Sequence, residues 1–129
     1  MSREDFKGER EEQRAYSRAV KVRGETTVSL AGIGAPVDAQ GHSLAGNFTA
    51  QTHQVFARLR ETVALVGGTL DDMVTMTLFI TDPRYGDEFV AIRKQYFPRG
   101  FPGSALISVY ALARPEMLVE VQAIAVLDA

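Results

Sequence analysis

Nine residues near the C-terminus, Leu118 to Val126 (LVEVQAIAV), restrict the fold of this chain more than any other stretch. The run is short, apolar and rich in β-branched residues, which predicts a strand in the body of a sheet. It also carries Glu120 and Gln122. A carboxylate in a half-buried strand is costly unless it is paired or hydrogen-bonded, so Glu120 marks either a structural polar contact or a site. The stretch from Phe101 onward reads as a preceding strand, joined to the last one by a turn at Arg114-Pro115-Glu116.

Such a sheet needs cover, and the middle of the chain supplies two amphipathic helices. Val55, Leu59, Val63 and Val66 recur at helical spacing, with Phe56 widening the stripe, and predict a helix over Thr49 to Val66 that Gly67-Gly68 terminates. Asp82-Pro83 is a helix start signal, and Tyr85, Phe89, Ile92 and Tyr96 form the apolar stripe of a second helix, closed by Pro98. Between them, Met73 to Thr81 alternates as a strand. It puts Val74, Met76, Leu78 and Ile80 on one face and Met73, Thr75, Thr77 and Phe79 on the other. Tyr16 to Val22 and Thr26 to Ala31 read as a hairpin turning at Gly24-Glu25, followed by a loop over Gly32 to Gly46.

The predicted order is β-β-α-β-α-β-β. Two helices cover one face of a mixed sheet, giving a two-layer α+β sandwich. The other face offers Thr75, Thr77, Phe79, Glu120 and Gln122, with Ser108 and Tyr110 beside them. A half-apolar, half-polar face suits a subunit contact, so a homo-oligomer of closed symmetry is expected, with any ligand cleft between subunits.

The 129 residues suit a single domain, 1–129, and the charged segment 1–14 is expected to fray or lie on the surface. A net charge of -2 gives no footprint for nucleic acid or an anionic membrane. The chain has no cysteine, hence neither a disulfide framework nor a thiol nucleophile, and a cytoplasmic location is the expectation. His42 and His53 lack companions at ligand spacing, and Asp71-Asp72 reads as a solvated turn, so neither a metal nor another cofactor is expected.

Taken together, several segments resemble the RidA/YjgF family, also called L-PSP endoribonuclease-like, from about Tyr16 to Val126. They are Tyr16-Ser17-Arg18-Ala19-Val20, Ala31-Gly32, Gln51-Thr52, Leu70-Asp71-Asp72-Met73-Val74, Phe79-Ile80-Thr81-Asp82, Pro102 and Leu118 to Val126. The resemblance implies a chorismate-mutase-like fold and a homotrimer with clefts at its subunit interfaces. In the best-known members these clefts hydrolyse imines and enamines to a keto acid and ammonia.

Carried over residue by residue, Tyr16 stands at the family's site tyrosine and Glu120 at the glutamate that positions water. Ala31, beside Gly32, falls at the loop serine, and Val90 at a helix asparagine. Ser104 occupies the position of the arginine that clamps the substrate carboxylate. A guanidinium offers two parallel charge-assisted bonds where a hydroxyl offers one, so the 2-imino acid reaction is weakened by this exchange unless Arg99 or Arg114 swings in.

Three readings follow. The first is a diverged imine or enamine deaminase in which Glu120 activates water, while Ser104 and the Ala31-Gly32 amides support the developing charge. The alternative is a non-catalytic trimeric module that binds a small, less charged ligand or a partner enzyme. Endoribonuclease activity comes third, because the acidic chain lacks phosphate attraction and a histidine pair.

Overall fold

The computed structural model describes residues 2–128. In chain order these form strand β1 (Ser2–Phe6), a short helix α1 (Glu9–Gln13), strands β2 (Ala19–Arg23), β3 (Thr26–Ser29) and β4 (Ile33–Gly34), and helix α2 (Phe48–Leu65). Strand β5 (Met73–Ile80), helix α3 (Gly86–Tyr96) and strands β6 (Gly103–Ser108) and β7 (Val119–Leu127) complete the chain. The main sheet runs β3-β7-β5-β6, with β4 also on β7, and β1 and β2 make a separate two-stranded ribbon. The layers are those expected from the sequence, and α2 and α3 cover one face.

That covered face holds the core. Met76, Leu78 and Ile80 of β5 and Val119, Val121, Ala123 and Ala125 of β7 are buried together with Val55, Phe56, Leu59 and Val63 of α2 and Phe89 and Ile92 of α3. Phe56 joins the helices through ring contacts, stacked at 4.5 Å on Tyr96 and tilted at 5.7 Å against Phe89. The helix limits follow local chemistry. The Asn47 side chain accepts from the Ala50 amide at the start of α2, and Gly67 beyond its end adopts φ +83°. Val66, assigned to the stripe, is instead exposed, because the helix has ended before it.

Four expectations need correction. Strands β2 and β3 form no hairpin: β2 pairs with β1 and β3 with β7, and Gly24 passes so close to Val126 and Leu127 that a Cβ there would lie 2.5 and 2.8 Å from them. The last two strands are not neighbours either. β5 lies between them, parallel to β6 and antiparallel to β7, and α3 is the crossover that parallel pairing demands. On β5, an irregularity between Met73 and Thr75 turns Met73 inward, so it is fully buried. Finally, the charged start of the chain is at the surface but forms β1 and α1 rather than fraying. Arg3 donates to the Asp71 and Met73 carbonyls at 2.7 and 2.9 Å and docks the β1-β2 ribbon on the main sheet. A charge density that suggests fraying is here used on backbone acceptors.

Candidate functional site

The pairing register assigns each candidate to a face. Ser104 lies opposite Met76 and Glu120 opposite Phe79. Side chains alternate along a strand, and Met76 and Phe79 are three residues apart, so Ser104 and Glu120 project from opposite faces of one sheet. Within one protomer they cannot share a cleft. Ser108, opposite the core residue Ile80, also belongs to the helix side, which corrects its expected place on the open face.

On the helix side the centre is Arg93, which the sequence reading did not single out. It is 2% exposed. Its guanidinium donates to Ser104 Oγ at 2.7 Å and to the Arg14 carbonyl at 3.0 Å, while its Nε is buried without a partner. Burial pulls the guanidinium down to about 10; neighbouring Arg14 adds to the depression and Tyr16 opposes it. At neutral pH the group therefore stays charged. Val90 sits one turn earlier on α3, buried on the same side. Tyr16 is held nearby by the segment after α1, where the Ser17 amide donates to the Pro102 carbonyl at 2.9 Å and Ser17 Oγ to the Phe101 carbonyl at 2.5 Å. Tyr16, Val90 and Ser104 are thus gathered around Arg93.

Neither of the two loop arginines that could have compensated at Ser104 reaches it within the protomer. Arg99 points to Asp71 at 3.8 Å and Arg114 to Glu116 at 3.7 Å, both with exposed side chains. Arg93 left a legible trace, since it stands four residues after Phe89 and three before Tyr96, inside the apolar stripe of α3. A cation there has to be buried.

On the open face, Glu120 shares its side of the sheet with Thr75, Thr77, Phe79 and Gln122. Ala31 and Gly32 lie in the short link between β3 and β4, and β4 pairs with β7 at Glu120 itself. The carboxylate folds over Gly32: a Cβ at that position would sit 2.5 Å from Glu120 Oε2. Glu120 is half-buried and has no hydrogen-bond or ion-pair partner among the described residues. Further along this face a groove of about 220 Å³ runs past Ser29, Thr75, Thr77, Gln122 and Ile124. The larger crevice by Arg3, Lys7, Asp71 and Arg99, of about 500 Å³, is the docking seam of the ribbon.

The histidines take no part in either cluster. His53 is hydrogen-bonded to the Tyr96 hydroxyl at 2.6 Å, and exposed His42 lies 3.4 Å from Asp38. Among the described residues, no three His, Cys, Asp or Glu side chains gather as metal ligands would.

Comparison with known proteins gives a consistent picture. The sequence pattern described as "Endoribonuclease L-PSP" matches residues 9–127. A RutC family protein of Sulfurisphaera tokodaii is 28% identical over 110 residues, 84% of this chain and 85% of that protein. Among crystal structures, the Rid family protein YyfB of Yersinia pestis, a protein of unknown function, superposes with a TM-score of 0.86 at 28% identity, covering 98% of this chain and all of that one. A member of the YjgF/YER057c/UK114 family from Mycobacterium tuberculosis superposes at 0.70 with 30% identity, again over 98% of this chain and all of that one.

Proposed function

This chain belongs to the endoribonuclease L-PSP family, the Rid/YjgF proteins, and we propose that it hydrolyses small imine- or enamine-type metabolites in clefts formed between subunits of a homotrimer. The observation that carries the reading is Glu120, a half-buried carboxylate with no partner among the described residues, folded over Gly32 on the face the helices leave open. A structural carboxylate in that setting would be paired; an unpaired one is available to a water or a ligand.

Two half-sites on opposite faces of one sheet also suit assembly, because a second copy can set its Ser104 cluster against the first copy's Glu120. In such a cleft Glu120 takes a proton from water as the oxygen adds to the C=N carbon. The nitrogen is protonated, and the carbinolamine collapses to a carbonyl compound and ammonia. The Ser104 hydroxyl and the Ala31-Gly32 backbone offer donors to negative charge on the substrate.

The test is ammonia release from a panel of freshly generated imines, measured for the wild type and Glu120→Gln. Turnover that vanishes in the variant supports the reading, and no turnover above the uncatalysed rate refutes it. One observation favours a second reading, a non-catalytic binding module: no guanidinium is exposed at Ser104, since Arg93 is buried behind it. A ligand that raises the melting temperature without being consumed would select that alternative. RNA cleavage has no such support, with a net charge of -2 and the two histidines on separate elements.

A further inference from the structure

We propose that residues 2–14, β1 with α1, form a strap that peels from β2 and uncovers the Arg93 guanidinium, with Arg3 as its latch. The inference concerns access to that cluster and holds whether or not imines are hydrolysed. It begins from burial. No side chain in 2–14 is buried, and α1 places none in the core. The next residue, Ala15, is fully buried, so the apolar core meets the chain only where the strap ends. An element without buried apolar contacts lies at the low end of local stability and opens ahead of the rest.

What holds the strap is polar and concentrated at one residue. The Arg3 guanidinium donates to the Asp71 and Met73 carbonyls at 2.7 and 2.9 Å and to the Phe101 carbonyl at 3.4 Å. Around this latch the surfaces do not meet. A crevice of about 500 Å³ has Arg3, Asp5 and Lys7 of the strap on one side and Thr69, Asp71, Asp72, Arg99 and Gly100 on the other. The remaining side-chain ties are at the surface: Lys7 stands 5.3 Å from the centre of the Phe101 ring, and Arg14 pairs with exposed Asp87, a kind of contact that adds little. Strand β2, by contrast, is tethered at both ends. Ser17 binds the Phe101 and Pro102 carbonyls, and the Glu25 amide donates to the Leu127 carbonyl at 3.0 Å. The opening therefore runs through the β1-β2 ladder, a two-stranded ribbon of a type that is marginal by itself.

The pivot and the consequence are adjacent. Ala15 has φ +61°, a left-handed conformation that a residue with a Cβ enters at a cost, and releasing the strap lets it relax. Immediately before it, the Arg14 carbonyl accepts from Arg93 at 3.0 Å. Lifting the strap removes that cover. Arg93 is 2% exposed, its Nε lacks a partner, and a buried cation so incompletely bonded gains by reaching water. Hydration of Arg93 thus favours the open form, and the Arg3 latch opposes it.

The chain has no cysteine, so a reversible lock can be added. Glu4 and Lys21 are exposed and directly paired, at a spacing a disulfide bridges. In the Glu4→Cys/Lys21→Cys variant, phenylglyoxal labelling of Arg93, read by mass spectrometry, should fall about tenfold or more on oxidation and recover on reduction. In the otherwise native chain, Arg3→Met should raise both Arg93 labelling and hydrogen exchange of the β1 amides about tenfold or more, the weight of one charged hydrogen bond, with β7 amides unchanged. If Arg3→Met does not fold, the disulfide pair decides. Arg93 labelling that ignores the lock overturns the inference. So does wild-type exchange in β1 as slow as in β7, or a β1 that opens while Arg93 stays unlabelled. Imine turnover is scored separately: its absence refutes the hydrolase reading and leaves the strap untouched.

Discussion

Replacing Gly32 by alanine should separate the site from the fold. The added methyl would lie 2.5 Å from Glu120 Oε2 and 3.2 Å from Cδ, and its three nearest neighbours all belong to that side chain. To reach ordinary contact the carboxylate has to withdraw by roughly 1 Å, a displacement that can cost about a hundredfold in rate when the group acts on a reacting atom. The fold feels much less. Only the far end of a flexible side chain has to move, and an off-rotamer torsion costs about 0.5–1.5 kcal/mol.

Gly32→Ala should therefore unfold in urea within about 1.5 kcal/mol of the wild type while imine hydrolysis falls about ten- to a hundredfold. Carbon-detected NMR of the Glu120 carboxyl should show a displaced resonance whether or not a substrate is known. Full activity with an unmoved Glu120 resonance would refute the reasoning, and so would a loss of stability above about 3 kcal/mol, since the glycine would then be structural.

Gln51, buried on α2, donates to the Leu44 and Glu116 carbonyls and accepts from the Leu118 amide at 2.8–2.9 Å, so Gln51→Ala leaves three groups unmatched. A loss of roughly 2–4 kcal/mol is expected in urea denaturation, and a loss below about 1 kcal/mol would contradict it. Ser17→Ala removes the donor to the Phe101 carbonyl and should cost roughly 1–3 kcal/mol, read as a lower denaturation midpoint with an unchanged slope. Asp82 is held down to about 2, first by the Arg84 side chain and then by the Arg84 amide. A depressed carboxylate stabilises the fold above its ordinary value of 3.8 and stops doing so as pH falls through about 2. An NMR titration should place its midpoint there, with Arg84→Ala moving it upward.

Periodicity made the covered layer legible. The α2 stripe, the alternation of β5 from Thr75 onward and the cap at Asp82 all depend on neighbours in sequence, and all three are present. Partner choice between strands was not legible, because β2 and β3 alternate equally well whether they pair with each other or with β1 and β7. Long-range anchors such as Arg3 on the Asp71 and Met73 carbonyls decide it. For the site, Glu120 stood out as a charge in an apolar run. Arg93 does not stand in the Tyr85-Phe89-Ile92-Tyr96 stripe by which the helix was read, and only the register of β6 shows which side Ser104 takes.

Strand β6 ends the sheet. Outside the bridge from Ser17 to Gly103, no described strand lies along its far side, and Leu106 and Ile107 stay partly in solvent. A single copy thus carries an open template of amides and carbonyls flanked by greasy side chains, the setting in which chains recruit one another indiscriminately. For the proposed homotrimer, dilution or a disrupted contact surface would then be felt as clumping and poor yield before any loss of internal order, so solubility would gauge whether the copies of that assembly have met correctly.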